Sequence, residues 1–401
     1  MDIAAPDALI GPCAGFRVLD FSTMISGPLA GQNLGDLGAD VIKIENTFGE
    51  TARWVGPPER AGLNGFYSQL NRNKRCIAID LKTAGGREIA QTLASSADVV
   101  LENFRPGVAD RLGIGYEELS RGNPGLVYVS VSGFGPDGPY VKQPVYDLVI
   151  QGMSGLMPVQ GGDGQPPQML KSTAADKTSA ITAASCALAA LLARERNNGQ
   201  GQHVHVPMIN AYAQFALTDL LTAETFIPKP EWDDYNPDLF RTWRCADGYL
   251  VGSVIEETQY QNLCQCLGRE DLATDERFLN IANRMRNLKA MNDLLEPEFR
   301  KQPWRELLEN LRRHQVPFGP VYDIAGFIDD PQVKHNRTVF EAQEPTAGTM
   351  RYLRHPGVYE KTPATLRRHP PRLGEHTDEI LGAAGYTEAQ ITQWREAGVI
   401  G

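Results

Sequence analysis

Between residues 16 and 135, short apolar runs rich in β-branched residues alternate with segments whose apolar positions recur at helical spacing. The runs are "FRVLDFS", "DVIKIEN", "RCIAIDL", "DVVLENF" and "GLVYVSVSGFG". Each is nearly continuously apolar, so each predicts a strand buried on both faces. Between them, "GPLAGQNLGDLGA" spaces Leu29, Leu34 and Leu37 as a helix would, and "KTAGGREIAQTLASSA" predicts a second helix. "GVADRLGIGYEELSRGNP" supplies helical turns. The β-α alternation predicts an α/β fold with a mostly parallel, doubly wound sheet. Ligands of such sheets sit beyond the carboxyl ends of the strands. The loops "STMISGP", "ENTFGE", "ENFRPG" and "SGFGPDGPY" therefore frame the candidate site.

Further along, "YDLVIQGMSGLMPV" predicts one helix, ended by the Gly-rich "QGGDGQPPQ". "KSTAADKTSAITAASCALAALLARER", residues 171–196, predicts a long helix of small residues packed on nearly every side, stopped by the Asn/Gly signal "NNGQG". "QHVHVPM" alternates like a strand. The pattern changes near residue 225, where "TFIPKPEWDDYNPDLF" is irregular and Pro-rich and predicts a linker. Residues 240–322 predict a smaller α+β unit, from "DGYLVGSVI" through "NRMRNLKAMNDLLEPEF" and "PWRELLENLRRH" to "VPFGPVYDI". The tail predicts strands and a final helix pair, "TDEILGAAG" and "TEAQITQWREAG".

The 401 residues exceed one ordinary core, so two domains are expected. A net charge of −10 argues against a general nucleic-acid binder, although a few local Lys and Arg suffice for an anionic small ligand. The start "MDIAAPDALIGPCAG" lacks the basic and apolar stretches of a secretory signal, and no run of about 18 apolar residues predicts a membrane span. Six cysteines without regular spacing read as reduced thiols. A cytoplasmic protein is the expectation. "CQC" at 264–266 has no second pair at finger spacing, so no metal site is expected. GxGxxG, GxxxxGK[ST], GxSxG and HExxH are all missing.

Four features carry candidate chemistry. In "ENFRPG", Asn103 and Phe104 suit a purine ring or a pantetheine arm and Arg105 a phosphate, against the plainer reading of an exposed turn. "NRNKRC" is either a solvated edge or a diphosphate clamp. His203 and His205 share one strand face, too few for a metal and better read as packed or surface rings. Asp176 opens the small-residue helix. There it is either an N-cap or a nucleophile that the helix start keeps ionised, with room around Thr173, Ala174, Ala175, Ser179 and Ala180 for a substrate.

These segments, in this order, resemble the class III CoA-transferases, the group that includes formyl-CoA transferase and carnitine CoA-transferase. The resemblance runs from about residue 15 to the C-terminus and rests on "RVLDFSTMISGP", "LGADVIKIE", "NRNKRCIAIDLK", "ADVVLENFRPGVADRLGIGYEEL", "SGFGPDGPY", "YDLVIQGMSGLM", "AADKTSA", "ALLARERNNGQGQHVHVPM" and "PPRLGEHTDEIL". It implies a large Rossmann-like domain with an inserted smaller α+β domain, and two subunits linked like rings in a homodimer. The domains would be 1–224, then 225–322 with the linker, then 323–401 returning to the large domain.

The resemblance also assigns roles. Asp176 matches the family's catalytic carboxylate, which attacks an acyl-CoA thioester and passes through a mixed anhydride and an aspartyl-CoA thioester. Coenzyme A is then a substrate rather than a resident cofactor, and the partners are an acyl-CoA and a free carboxylic acid. Ile79, Asp80 and Lys82 match a strand-end group that contacts the nucleotide; Asn103, Phe104 and Arg105 match a second group, and Arg111 a family arginine. Tyr146 and Asp147 match a pair near the thioester.

Ile25 stands where formyl-CoA transferase has Gln, Asn46 where it has Arg, and no "GGGGQ" loop occurs between 226 and 260. These departures speak against oxalate and leave a succinyl-CoA or other dicarboxylyl-CoA donor as the expectation. Arg53, Arg72, Arg75 and Arg241 are the cations offered for a second carboxylate. The alternatives are an α-methylacyl-CoA racemase, disfavoured because Tyr146 replaces its basic His, and a catalytically silent CoA-binding protein.

Overall fold

Six parallel strands make the frame of the larger of two units, in the order β3-β2-β1-β4-β5-β6. The structure is a computed structural model that describes residues 10–56, 59–162, 164–229 and 239–401. One unit comprises Met1–Asp219 with Asn336–Gly401, the other Leu220–His335. Residues 230–238 of the expected linker lie outside the described residues.

In chain order the first unit holds β1 (Arg17–Asp20), α1 (Ser26–Asp36), β2 (Asp40–Glu45), the single turn α2 (Gly65–Ser68), β3 (Lys74–Ala78), α3 (Ala84–Ala94) and β4 (Val99–Glu102). Next come α4 (Val108–Arg111), α5 (Tyr116–Gly122), β5 (Val127–Ser132), α6 (Asp147–Met153), α7 (Leu156–Gly161), α8 (Ala174–Arg196), β6 (Gln202–Pro207) and α9 (Met208–Leu217). Every strand run expected in this half forms. The sheet carries apolar side chains on both faces. Val18, Val41, Val99, Val127 and Val129 pack under α1, α8 and α9, while Leu19, Ile42, Ile77, Val100 and Tyr128 pack against α3 and the C-terminal helices.

Helix α8 lies close on β5, β6 and α1 because the side chains it buries are small: Ala175, Ala180, Ala183, Ala184, Ala187 and Ala190. Two expected helices are each split in the structure. The segment from Tyr146 breaks into α6 and α7 at Gly155, whose φ of +81° no side-chain-bearing residue adopts cheaply. The segment from Asn283 breaks at Asn287.

The second unit has its own three-stranded antiparallel sheet, β7 (Thr242–Arg244), β8 (Tyr249–Gly252) and a later strand, Phe318–Pro320. Around it lie α10 (Glu257–Cys266), α11 (Glu270–Ala273), α12 (Ile281–Arg286), α13 (Leu288–Arg300) and α14 (Trp304–Arg313). Its core stacks Trp243 on Phe299 with ring centroids 4.5 Å apart. The returning chain adds a hairpin, Val339–Glu344 with Gly348–Leu353, and helices Thr377–Ala383 and Glu388–Glu396. The last residues rejoin the sheet region, where Asp80 N–H donates to the Val399 carbonyl at 2.8 Å. All six cysteines are free. No helix among the described residues is long and apolar enough to cross a membrane.

Candidate active site

Beneath the loop that joins β1 to α1 lies a network of buried charge. Lys74 and Lys43 are both fully buried, and Asp20, also at 0 % exposure, lies between them. Lys74 Nζ donates to Asp20 Oδ2 at 2.7 Å, to the Pro28 carbonyl at 2.7 Å and to Asn71 Oδ1 at 2.8 Å. Burial, followed by the repulsion of Lys43, lowers the Lys74 ammonium to about 8. Lys43 faces Glu50 at 3.1 Å and donates to the Ser22 carbonyl. The network fits because α1 presents Gly27 and Gly31, four residues apart, toward Ser22 and Asp20. A Cβ on Gly31 would stand 2.9 Å from Asp20 Oδ2.

Above this base opens a cavity of about 520 Å³. The β1–α1 loop forms one wall with Thr23, Met24, Ile25 and Ser26; Asn103, Phe104 and Arg105, from the segment after β4, form another. An irregular segment after β5 contributes Gly133, Phe134, Val141, Gln143, Val145 and Tyr146. Asp147 and Asp176 complete the lining from the first turns of α6 and α8.

Asp176 is not the N-cap: Thr173 is, and Asp176 is the third residue of α8. Its own N–H donates to Asp147 Oδ2 at 3.0 Å, so a carboxylate from α6 satisfies the start of α8 in its place. The Asp176 carboxyl itself, half-buried, accepts no hydrogen bond among the described residues. The expectation that the helix start would lower its pKa is overturned. Burial, and then the neighbouring Asp147 charge, push it up from 3.8 to about 7. Asp147 is held in turn by Gln151, whose Nε2 donates to Asp147 Oδ1 at 2.5 Å and to the Ser172 carbonyl at 2.8 Å. Gln151 had no place among the sequence candidates. Its four-residue spacing from Asp147 on one helix was the available signal.

Of the residues singled out from the sequence, Ile25, Asn103, Phe104, Arg105, Tyr146, Asp147 and Asp176 share this cavity. Ile79, Asp80, Lys82 and Arg111 do not line it. Ile79 is buried in the core, Asp80 caps its own turn by accepting from Lys82 N–H at 2.9 Å, and Lys82 and Arg111 are exposed. The Asn103 amide is not available to a purine: its Oδ1 accepts from Thr23 N–H and its Nδ2 donates to the Thr23 carbonyl, both at 2.8 Å. Tyr146, 75 % exposed, stands at the mouth.

"NRNKRC" is neither a solvated edge nor a clamp. Arg72 pairs with Asp36 at 2.5 Å, Lys74 with Asp20, and Arg75 with Asp40 at 2.7 Å. Arg53 is likewise bound to Glu45 at 2.7 Å, and Arg241 pairs with Glu296 at 2.8 Å. Of the arginines offered for a second carboxylate, Arg53, Arg72 and Arg75 do not line the cavity, and Arg241 belongs to the other unit. Among the described lining residues, Arg105 is its one cation. The His203 and His205 rings lie side by side in β6, tilted at 41° with centroids 3.9 Å apart, and His203 Nε2 bonds Ser130 Oγ at 2.8 Å beside a smaller hollow of about 170 Å³.

A cavity at the strand ends with one unpaired carboxyl on a helix start can be compared with known proteins. The chain is 34 % identical over 394 residues to the succinate–glutarate CoA-transferase of Agrobacterium fabrum, covering 95 % of this chain and 98 % of that one. It is 30 % identical to the human succinyl-CoA:glutarate CoA-transferase, covering 98 % and 90 % respectively. The crystal structure of a CaiB/BaiF family protein from Brucella suis superimposes with a TM-score of 0.81 at 33 % identity, over 94 % of this chain and all of that one. The profile of CoA-transferase family III matches residues 13–377, and the chain belongs to that family.

Proposed function

We propose that the protein moves coenzyme A between dicarboxylic acids, with Asp176 as the nucleophile. The observation that carries this reading is the Asp176 carboxyl itself: at the inner wall of an open cavity, free of hydrogen bonds among the described residues, and relieved of the capping role by Asp147. An ion-paired carboxylate would be a poor nucleophile. With a pKa of about 7, a large fraction of Asp176 is ionised at neutral pH and its basicity exceeds that of an ordinary aspartate.

In the proposed reaction an Asp176 oxygen attacks the thioester carbonyl carbon. The C–S bond breaks, CoA leaves as thiolate, and a mixed anhydride remains. The thiolate attacks the aspartyl carbonyl, releasing the donor acid as its carboxylate and leaving an aspartyl-CoA thioester. The acceptor carboxylate attacks that thioester, giving a second anhydride and thiolate. Attack of thiolate on the acceptor's acyl carbon forms the new acyl-CoA and regenerates Asp176. No proton is consumed, and the thioester energy is retained as long as water is excluded.

The pantetheine arm would pass Asn103, Phe104 and Arg105 into the cavity, and Asp80, Lys82 and Arg111 would meet the nucleotide outside it, with Ile79 buried behind them. Tyr146 and Ile25 flank the thioester. The names of the Agrobacterium and human relatives support succinyl-CoA as donor and a short dicarboxylate as acceptor. The smaller unit as an inserted domain, an interlocked homodimer and a cytoplasmic location complete the reading. A racemase is disfavoured because no His lines the cavity among the described residues.

The test is exchange of thioesters. Purified protein is incubated with succinyl-CoA and a panel of free acids, and products are followed by mass spectrometry. Hydroxylamine added during turnover should leave a hydroxamate on Asp176. Thioester exchange by Asp176→Ala at the normal rate, or a hydroxamate on another residue, would defeat the assignment.

A further inference from the structure

The β1–α1 loop enters the cavity wall with its backbone held residue by residue. Ser22 N–H donates to Asp20 Oδ1 at 3.0 Å and Thr23 is paired at both N–H and C=O by Asn103. Met24 is the odd member. Its φ is +65°, the left-handed region that residues with a Cβ seldom adopt, and Met has no side-chain device to favour it. Its N–H donates to Glu50 Oε2 at 2.7 Å. Glu50 comes from the segment after β2, is 2 % exposed, and turns its other oxygen to Lys43 Nζ at 3.1 Å. Its own N–H donates to Glu45 Oε2 at 2.9 Å, which fixes its backbone. The residues that follow Met24 are Ile25 and Ser26, both cavity-lining and both at the start of α1.

We infer that Glu50 is a positioning residue for the transfer reaction: its carboxylate holds Met24 left-handed and thereby sets Ile25 and Ser26 against the thioester. The inference rests on the CoA-transferase reading above. A carboxylate suits the task because one oxygen accepts from the Met24 N–H while the other sets its charge 3.1 Å from the Lys43 ammonium, an ion pair without a hydrogen bond. A glutamine has one oxygen, so either orientation of its amide places an NH₂ against a donor. Glu50 touches no cavity space itself. It acts only through the backbone it grips.

The experiment compares the wild type, Glu50→Gln, Met24→Gly and the double variant, with succinyl-CoA and glutarate as the probe pair. Small displacements at a reacting centre are costly, so Glu50→Gln should lower kcat by on the order of 10- to 100-fold while KM for succinyl-CoA changes little. Glycine adopts the left-handed region without a grip, so in the Met24→Gly background the same substitution should lower kcat by less than about 3-fold. Normal kcat in Glu50→Gln, or equal losses in both backgrounds, would overturn the inference.

Urea unfolding of the four proteins gives a readout that needs no activity. The stability lost on Glu50→Gln should be smaller when Met24 is already glycine, and strictly additive losses count against the proposal. If Glu50→Gln does not fold, Glu50→Asp replaces it, keeping the charge beside Lys43 while withdrawing the oxygen from Met24. A wild type that transfers CoA from succinyl-CoA to no acid defeats the CoA-transferase reading instead, and the unfolding comparison still decides the role of Glu50.

Discussion

Asp176→Asn should give a protein that is inactive and more stable than the wild type at neutral pH. The native carboxyl binds its proton more tightly than the unfolded one, because burial and Asp147 raise its pKa from 3.8 to about 7. At about 1.4 kcal/mol per pKa step, that rise sets a ceiling of roughly 4 kcal/mol. The start of α8 attracts the carboxylate and returns ~0.5–1 kcal/mol. Water in the open cavity screens the remainder, so about 1–2 kcal/mol is expected.

The sign follows from the direction of the shift. The contribution of a raised carboxyl is intact below the unfolded pKa and is lost as pH rises through the folded value, a window from ~4 to ~7. Asparagine has nothing to lose there. The gap between variant and wild type should therefore be near zero at pH ~4 and full by pH ~8. Only the difference between the two proteins is informative. Burial, followed by His205, holds the His203 ring down to about 4, so its share of stability changes with pH in the opposite sense. Urea denaturation at both ends of the window measures the gap. A variant less stable than wild type at high pH would mean that Asp176 supports its helix. A gap independent of pH would mean that the carboxyl is not perturbed.

Three further outcomes follow from the same geometry. Asp147→Asn keeps an acceptor for the Asp176 N–H but removes the adjacent charge, so the acid limb of the kcat/KM profile should move below pH ~7 while staying above the unperturbed value, burial being the larger cause; an unmoved limb would clear Asp147 of any electrostatic role. Lys74→Met strips Asp20 of its 2.7 Å partner in a fully buried site and should cost roughly 3–5 kcal/mol in denaturant unfolding, and a loss below 1 kcal/mol would show that Lys43 alone suffices. Gly31→Ala improves helix propensity yet places a Cβ 2.9 Å from Asp20 Oδ2 and 3.4 Å from Lys74 Nζ, so it should destabilise by about 1–3 kcal/mol where propensity alone predicts a gain.

The sheet was legible because strands buried on both faces need no partner information to be apolar throughout. What failed was local punctuation. Gly155 breaks a pattern that reads as one helix, and α9 went unnoticed although Met208, Ala211, Tyr212 and Ala216 carry a helical spacing. At the site, Asp176 stood out by its small-residue surroundings, but the direction of its pKa did not. That depends first on burial in the cavity wall and then on Asp147, 29 residues earlier, neither of which local sequence can place around it. The cations of "NRNKRC" were misread for the same reason. Charge in a sequence suggests solvent, and the acids that take these cations inside, Asp20, Asp36 and Asp40, belong to β1, α1 and β2. Glu50 grips Met24 across 26 residues and had no local signal at all.

The cavity joins two kinds of wall, and they differ in how freely they can change. On one side, Thr23 and Ser26 are held by Asn103, and Met24 is tied through Glu50 to the buried charged base. On the other, Phe134, Val141, Gln143 and Val145 sit on an irregular segment, Gln143 exposed and the others half-buried. Side chains there can be exchanged without stranding a buried charge. A laboratory selection for a new acyl group should therefore collect its substitutions between residues 133 and 146 and leave the wall that rests on buried charge unaltered.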